Sequence, residues 1–184
     1  CQIPPFKANM QVILRGCAKS TVSFVSNLQE INYDNLDFGG IGMTVKYDFS
    51  GYRVLVTGGT SGIGLSAARM YLEAGADVVI TGTKPLENYD IDFSAFSFKQ
   101  MDLEDNASID TVAKAVSGEG GLDILVNNAG LAFASQGLDE HDPDVFARAI
   151  QMHLTGVYRL SHGLVDRLAE SNLPGGGAIV NVAS

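Results

Sequence analysis

Tryptophan is absent from this 184-residue sequence, and cysteine and basic residues are scarce. The two cysteines, Cys1 and Cys17, stand in no metal-binding or redox spacing, so the sequence predicts no metal site and no disulfide framework, and it favours a reducing compartment, the cytoplasm. Twelve Lys and Arg residues against 21 Asp and Glu residues give a formal charge of −9, which argues against binding to nucleic acid. No apolar run approaches the roughly 18 residues of a membrane span. An ordinary globular protein is the class that these absences leave.

The chain divides into two regions of different character near residue 43. Residues 1–42 show no sustained helical or strand periodicity, and all of the net charge lies from Met43 onward. We expect residues 1–42 to be an irregular extension or upstream DNA translated in frame, because Gly39-Gly40 can be encoded by a ribosome-binding sequence just before the Met43 codon. A genuine N-terminal arm is the alternative. Residues 43–184 are long enough for one domain with its own core.

Strand and helix patterns alternate from Arg53 onward. Short β-branched runs predict strands, and the segments of helical periodicity between them predict helices. Such alternation is typical of right-handed βαβ units, which build a parallel sheet covered on both faces. The predicted strands cover 53–57, 77–81, 96–101, 122–127 and 177–183, and the predicted helices cover 62–75, with Gly75 as the stop, 106–116 and 143–169.

A glycine-rich turn, TGGTSGIG, lies between the first strand and the first helix. Gly58, Gly62 and Gly64 allow a tight turn and a close approach of a pyrophosphate to the backbone, and Ser61 is the expected helix cap. Because the turn follows a strand and opens a helix, it indicates a dinucleotide site rather than an ordinary turn. A Walker A loop is excluded, since Leu65 stands where that loop needs a lysine.

Three motifs in this order resemble the short-chain dehydrogenase/reductase family, and together they cover residues 52–184. They are Thr57-Gly58-x-x-x-Gly62-Ile63-Gly64 after the first strand, Asp102-Leu103 after the third, and NNAG, which ends at Gly130, after the fourth. The resemblance implies a Rossmann-like, doubly wound α/β fold with strand order 3-2-1-4-5, without the strands that follow in the family. It also implies NAD(P)-dependent transfer of a hydride between nicotinamide and a carbonyl or secondary alcohol.

The same resemblance assigns residues to the cofactor. The glycine turn would bind the pyrophosphate and the adjacent ribose, the pair after the third strand would contact adenine, and the NNAG motif would line the cofactor floor. At the tip of the second strand, Gly82 replaces the acid that pairs with both ribose hydroxyls, so NADP is favoured and NAD is the alternative. The assigned residues are Gly58, Ser61, Gly62, Ile63, Gly64, Thr83, Lys84, Asp102, Leu103, Asn128, Ala129 and Gly130.

The last residues match the pattern that carries the catalytic serine in this family. Val180, Asn181 and Ser184 fit V-N-x-x-S, whose serine hydrogen-bonds the reacting oxygen. The family's Tyr-x-x-x-Lys, which supplies the proton, does not occur in the 184 residues, and Tyr158 is followed at that spacing by His162. We therefore expect a catalytically incomplete fragment of an oxidoreductase. A non-catalytic dinucleotide-binding or regulatory module is the alternative.

His153, within the long predicted helix, stands where the family has an asparagine that holds a proton-relaying water. It could relay protons itself, since imidazole titrates near neutrality, and simple packing within the helix is the alternative. The family buries this helix against a partner subunit, so the resemblance implies a homodimer or homotetramer for the intact protein. The implied substrate is a small-molecule carbonyl or alcohol, and sugar, steroid, acyl-thioester and small-ketone substrates all stay open.

Overall fold

The computed structural model describes residues 47–130, 137–139, 141–173 and 175–183. The predicted extension, residues 1–42, and the predicted catalytic Ser184 both lie outside the described residues. Five strands form one parallel sheet in the order β3-β2-β1-β4-β5, which confirms the predicted topology. The strands are β1 (Arg53–Val56), β2 (Asp77–Gly82), β3 (Ser97–Gln100), β4 (Ile124–Asn127) and β5 (Ala178–Asn181).

The described residues form four α-helices, which are α1 (Gly62–Glu73), α2 (Asn106–Gly118), α3 (Pro143–Ile150) and α4 (Val157–Ala169). The long helix predicted over 143–169 is confirmed in extent, but it is not α-helical throughout. A π-helical segment, Gln151–Gly156, joins α3 to α4. None of the described helices is both long enough and apolar enough to cross a membrane.

Side chains of the strands alternate between two apolar layers. In β1, Val54 faces one layer and Leu55 the other, and neither has any exposed surface. Helices α2 and α4 cover the Leu55 side through residues such as Ile109 and Leu160, whereas α1 covers the Val54 side through Leu65. Both faces of the central strands are therefore buried, which explains why these strands read as continuous apolar runs.

Helix α1 ends at a left-handed glycine. Gly75 has φ +92°, and its N–H donates to the carbonyl oxygen of Leu72 at 2.9 Å. The N–H of Ala76 donates to the carbonyl oxygen of Tyr71 at 3.0 Å. This pair of hydrogen bonds is a Schellman motif, and it confirms Gly75 as the stop of the first helix.

An ion pair connects α3 to the loop that follows β3. Arg148 donates from Nε and Nη2 to the two carboxylate oxygens of Glu104, each at 2.9 Å. These hydrogen bonds hold the pKa of Glu104 below its ordinary value. Since both side chains are partly exposed, the pair contributes modestly to stability.

We predict that Glu104→Gln removes stability that is present at neutral pH and absent in acid. Folding lowers the pKa of Glu104, so its ionised form favours the folded state above the ordinary glutamate pKa, and this contribution is lost as the pH falls through the lowered pKa. Thermal unfolding of both proteins across the acid range should show a gap in Tm that closes as the pH drops. Glu87→Gln, at an exposed position, is the matched control and should show no such gap. A gap that does not change with pH would contradict the prediction.

Candidate functional site

The candidate site lies along the carboxyl edge of the sheet. The parallel register pairs Val56 with Ile80 in β2 and with Val126 in β4, and it pairs Asn127 with Asn181 in β5. The segments that follow these strands therefore meet at one edge, where ligands of open parallel sheets bind. They include the glycine turn, the tip of β2, the NNAG motif and the residues that lead to Ser184.

The glycine turn presents backbone amides at the start of α1. Gly58 and Gly62 have φ +64° and +53°, values that favour glycine. The first helical hydrogen bond runs from the Leu65 N–H to the Ser61 carbonyl at 3.1 Å, so the preceding amides of the first turn lie ahead of the helical ladder. A Cβ on Gly62 would meet no described atom within 4 Å. The turn therefore has the open space and the donors that an anion requires.

Ser61 occupies the N-cap position of α1, as predicted, with an extended backbone at φ −159°. Its hydroxyl, however, makes no capping hydrogen bond within the described structure. Ile63 follows in the first turn and is 61% exposed, which leaves its side chain at the surface of the same turn. Both assigned side chains are therefore accessible to a ligand at the helix start.

Thr57, which the motif includes but the assigned residues do not, connects the turn to the end of β4. Its buried hydroxyl donates to the Val126 carbonyl at 3.3 Å and accepts the N–H groups of Asn128 and Ala129 at 2.9 and 3.0 Å. The position thus requires a small side chain that both donates and accepts hydrogen bonds. The signal available in the sequence was its place directly after a buried strand.

Asn128 braces the glycine turn with its side chain. Its Nδ2 donates to the carbonyl oxygens of Thr57 and Gly58 at 3.0 and 3.4 Å. A Cβ added to Gly64 would overlap both the Gly58 carbonyl oxygen and Nδ2 of Asn128. The side-chain amide of Asn128, which was predicted to line the cofactor floor, therefore hydrogen-bonds the glycine turn instead. Asn128 positions the backbone of this turn.

His153 meets the NNAG motif at Gly130. A Cβ on Gly130 would lie 2.5 Å from Cε1 and 3.1 Å from Nδ1 of the His153 ring. The imidazole thus packs against the backbone of the predicted cofactor floor. The structure brings together these two assigned residues, which are distant in sequence, and it does so through the π-helical segment.

The residues assigned to the adenosine half differ in their exposure. Thr83 and Lys84 are exposed directly after β2. Asp102 is also exposed, and its Oδ1 accepts the Glu104 N–H at 2.8 Å. Leu103 is 3% exposed and packs in the core, so only its backbone could face adenine.

Asn127 is a buried polar residue at this edge that the sequence reasoning did not assign. Its Nδ2 donates to Oδ1 of Asn181 at 2.9 Å and to Oγ of Ser161 at 3.2 Å, which joins β4 to β5 and α4. Its Oδ1 is buried and has no hydrogen-bond partner among the described residues. The amide fixes the segment of β5 that leads to Ser184.

Comparison with known proteins agrees with this geometry. The sequence model described as short chain dehydrogenase matches residues 52–184. The chain belongs to the short chain dehydrogenase family. The described fold and the glycine turn, NNAG motif and strand order are those expected of a member.

The chain is also similar to two curated proteins and to a solved structure. A 3-oxoacyl-[acyl-carrier-protein] reductase of Chlamydia pneumoniae is 33% identical over 141 residues, 73% of this chain and 55% of that protein. A 3alpha-hydroxysteroid dehydrogenase of Mediterraneibacter gnavus is 32% identical over 139 residues, 71% of this chain and 54% of that protein. The structure of a Pseudomonas aeruginosa RhlG/NADP active-site complex superposes with a TM-score of 0.60 at 28% identity, over 76% of this chain and 57% of that one. The chain spans about half the length of the curated relatives that it matches.

We predict that Gly64→Ala disrupts both the fold of the turn and the binding of a dinucleotide. The new methyl group would overlap a backbone carbonyl that cannot rotate away, and such overpacking typically costs about 1–3 kcal/mol. Thermal unfolding and calorimetric titration with NADP⁺ would measure the two losses.

Gly118→Ala is the matched control, because it also adds one methyl group to a helical glycine. A Cβ there would meet no described atom within 4 Å, so stability should be unchanged or slightly higher. Equal behaviour of the two variants would show that the contact around Gly64 is not tight in solution.

Proposed function

We propose that residues 52–184 form the dinucleotide-binding part of an NAD(P)-dependent oxidoreductase that acts on a carbonyl or secondary alcohol. The observation that carries the proposal is the glycine turn. Gly62 has a left-handed backbone and open space beside it, and the amides of the first turn lie ahead of the helical hydrogen bonds. Asn128 and Thr57 hold the turn in place. Membership of the short chain dehydrogenase family supports the same conclusion.

The assigned residues would divide the cofactor between them. The amides around Gly62 would hold the pyrophosphate, with Ser61 and Ile63 beside the adjacent ribose. Asp102 and the backbone of Leu103 would lie at adenine, and Ala129 and Gly130 would form the floor under the rest. The pyrophosphate would fit beside Gly62 because the space there is open, since a Cβ on Gly62 would meet no described atom within 4 Å.

The chemistry that a bound nicotinamide supplies is hydride transfer. Ser184 would donate a hydrogen bond to the oxygen of the carbonyl substrate, at the end of the segment that Asn127 fixes through Asn181. His153, which packs on Gly130, would hold or pass a proton at its imidazole nitrogens. Because Tyr-x-x-x-Lys does not occur in the 184 residues, we propose that these residues bind the dinucleotide but do not complete proton transfer alone. The absence of Tyr-x-x-x-Lys from the 184 residues also supports the second candidate function, a non-catalytic dinucleotide-binding module.

We propose NADP as the favoured cofactor and NAD as the alternative. The last residue of β2 is Gly82, so the position where an acid would bind both ribose hydroxyls has no carboxylate. Thr83 and Lys84 follow at exposed positions and could approach a 2′-phosphate. The NADP complex of the related Pseudomonas aeruginosa structure is consistent with this preference.

The central prediction is that the chain binds NADP⁺ at the start of α1. Ser61→Asp should weaken binding at least about tenfold, because a carboxylate at the N-cap repels the pyrophosphate. Aspartate is a good N-cap residue, so the fold should be retained. Isothermal titration calorimetry measures the affinity, and thermal unfolding checks the fold.

Ser94→Asp is the control for the added charge. Ser94 is exposed and precedes β3, so it lies towards the amino ends of the strands, opposite the carboxyl ends where the candidate site lies. Its substitution should leave the affinity for NADP⁺ within about twofold. The proposed function fails if the wild-type chain binds neither NADP⁺ nor NAD⁺, or if both substitutions weaken binding equally.

We further propose that the joined helices α3 and α4 mediate self-association. Four large apolar side chains recur every four residues along them, and all are exposed, by 58%, 41%, 63% and 68% for Phe146, Ile150, Leu154 and Tyr158. An apolar row of this kind marks an association surface. A homodimer or homotetramer of the intact protein would bury it.

Leu154→Glu is therefore expected to reduce the mass in solution to that of a monomer. A charge in the middle of the apolar row would have to be buried without a partner in the assembly. Light scattering coupled to size exclusion measures the mass. Met70→Glu is the control, because Met70 is similarly exposed, at 68% against 63% for Leu154, but lies on α1. A wild-type chain that is already monomeric would contradict the proposal.

A further inference from the structure

The tip of β2 requires glycine for lack of space rather than for backbone conformation. Gly82 is buried and is not among the glycines with positive φ. A Cβ built on it would overlap the Tyr89 hydroxyl oxygen, and it would lie 3.1 Å from Tyr89 Cζ and 2.7 Å from Thr60 Cγ2. The volume that a side chain would need at this position is therefore filled by the phenol of Tyr89 and the methyl group of Thr60.

Tyr89 is held in that volume by contacts on two sides. Its hydroxyl oxygen accepts the Lys84 N–H at 3.1 Å. Its ring packs edge-to-face on Phe93 at 5.7 Å and on Phe98 at 6.0 Å between centroids. Phe93 is itself 3% exposed, so the ring rests on a buried aromatic cluster. The phenol is consequently not the far end of a side chain that can swing away freely.

We propose that Tyr89 determines cofactor specificity by excluding a carboxylate from the end of β2. The proposal rests on the proposed function, because it requires the adenosine ribose to lie at this strand end. An acid at position 82 would select NAD by binding both ribose hydroxyls and repelling a 2′-phosphate. With Tyr89 in place, no side chain fits there, and the exposed Thr83 and Lys84 remain as the polar groups that follow the strand. Tyr89 thus acts on the cofactor through the space it occupies beside Gly82.

The test is a set of variants of the full chain on a Thr60→Ser background, which removes the second collision at position 82. Gly82→Asp, Tyr89→Leu and the pair are compared by thermal unfolding and by calorimetric titration with NADP⁺ and with NAD⁺. Leucine keeps apolar contact with Phe93 and Phe98 but lacks the outer ring atoms. We expect Gly82→Asp alone to lower Tm and to weaken the binding of both NADP⁺ and NAD⁺.

Adding Tyr89→Leu to Gly82→Asp should restore Tm and shift the ratio of the two affinities towards NAD⁺ by at least about tenfold. Tyr89→Leu alone should keep the preference for NADP⁺, because no carboxylate has been added. A merely structural role of Tyr89 would change Tm without this change of ratio.

Two results would overturn the inference. In the first, Gly82→Asp alone switches the preference with no loss of Tm, which would show that position 82 has space beside Tyr89. In the second, the paired variant leaves the affinity ratio unchanged. Failure of the proposed function is distinguishable, because the unsubstituted chain would then bind neither NADP⁺ nor NAD⁺.

Discussion

The hydroxyl of Thr57 is the contact on which the rest of the site depends. The residue is 1% exposed, and its oxygen uses its one donor on Val126 and both acceptor positions on the amides of Asn128 and Ala129. The two backbone N–H groups that directly follow β4 thereby have a hydrogen-bond acceptor inside the protein. These hydrogen bonds consequently fix the turn after β1 against the turn after β4. This arrangement allows Asn128 to reach the carbonyls of the glycine turn.

The glycines of this turn are required for two different reasons, which are lack of space and a left-handed backbone. Gly64 has no room because of the Gly58 carbonyl and Asn128, and Gly59 has none because of Ile80, whose Cγ2 would lie 2.7 Å from an added Cβ. Gly62 has room but a left-handed backbone. The motif therefore describes close approach of backbone to neighbouring elements at some positions and unusual conformation at others. Among the glycines of the turn, Gly62 is the one with open space beside it.

Much of the fold could be predicted because it depends on local periodicity. Alternating strand and helix patterns predicted a parallel sheet covered on both faces, and the strand order followed from the family resemblance that the three motifs carry. Asn127 and Gly82 could not be assigned in the same way, since their roles depend on partners that folding brings near. Asn127 acts through Asn181 and Ser161, and Gly82 is constrained by Tyr89. Asn128 was predicted to line the cofactor floor, but the direction of its amide, towards the carbonyls of Thr57 and Gly58, follows from packing rather than from the motif.

The π-helical turn shows how one helix can meet two neighbours. Gly156 is buried, and a Cβ on it would lie 2.6 Å from the Leu103 carbonyl oxygen, whereas the ring of His153 lies against Gly130. In an α-helix, residues three apart share a face. The wider π turn increases the angle between them, so one residue packs on the loop after β3 and the other on the end of β4. The nearness of His153 to the predicted cofactor floor is therefore a property of the helix backbone. A different side chain at position 153 would still be directed to Gly130, provided that the π turn is kept.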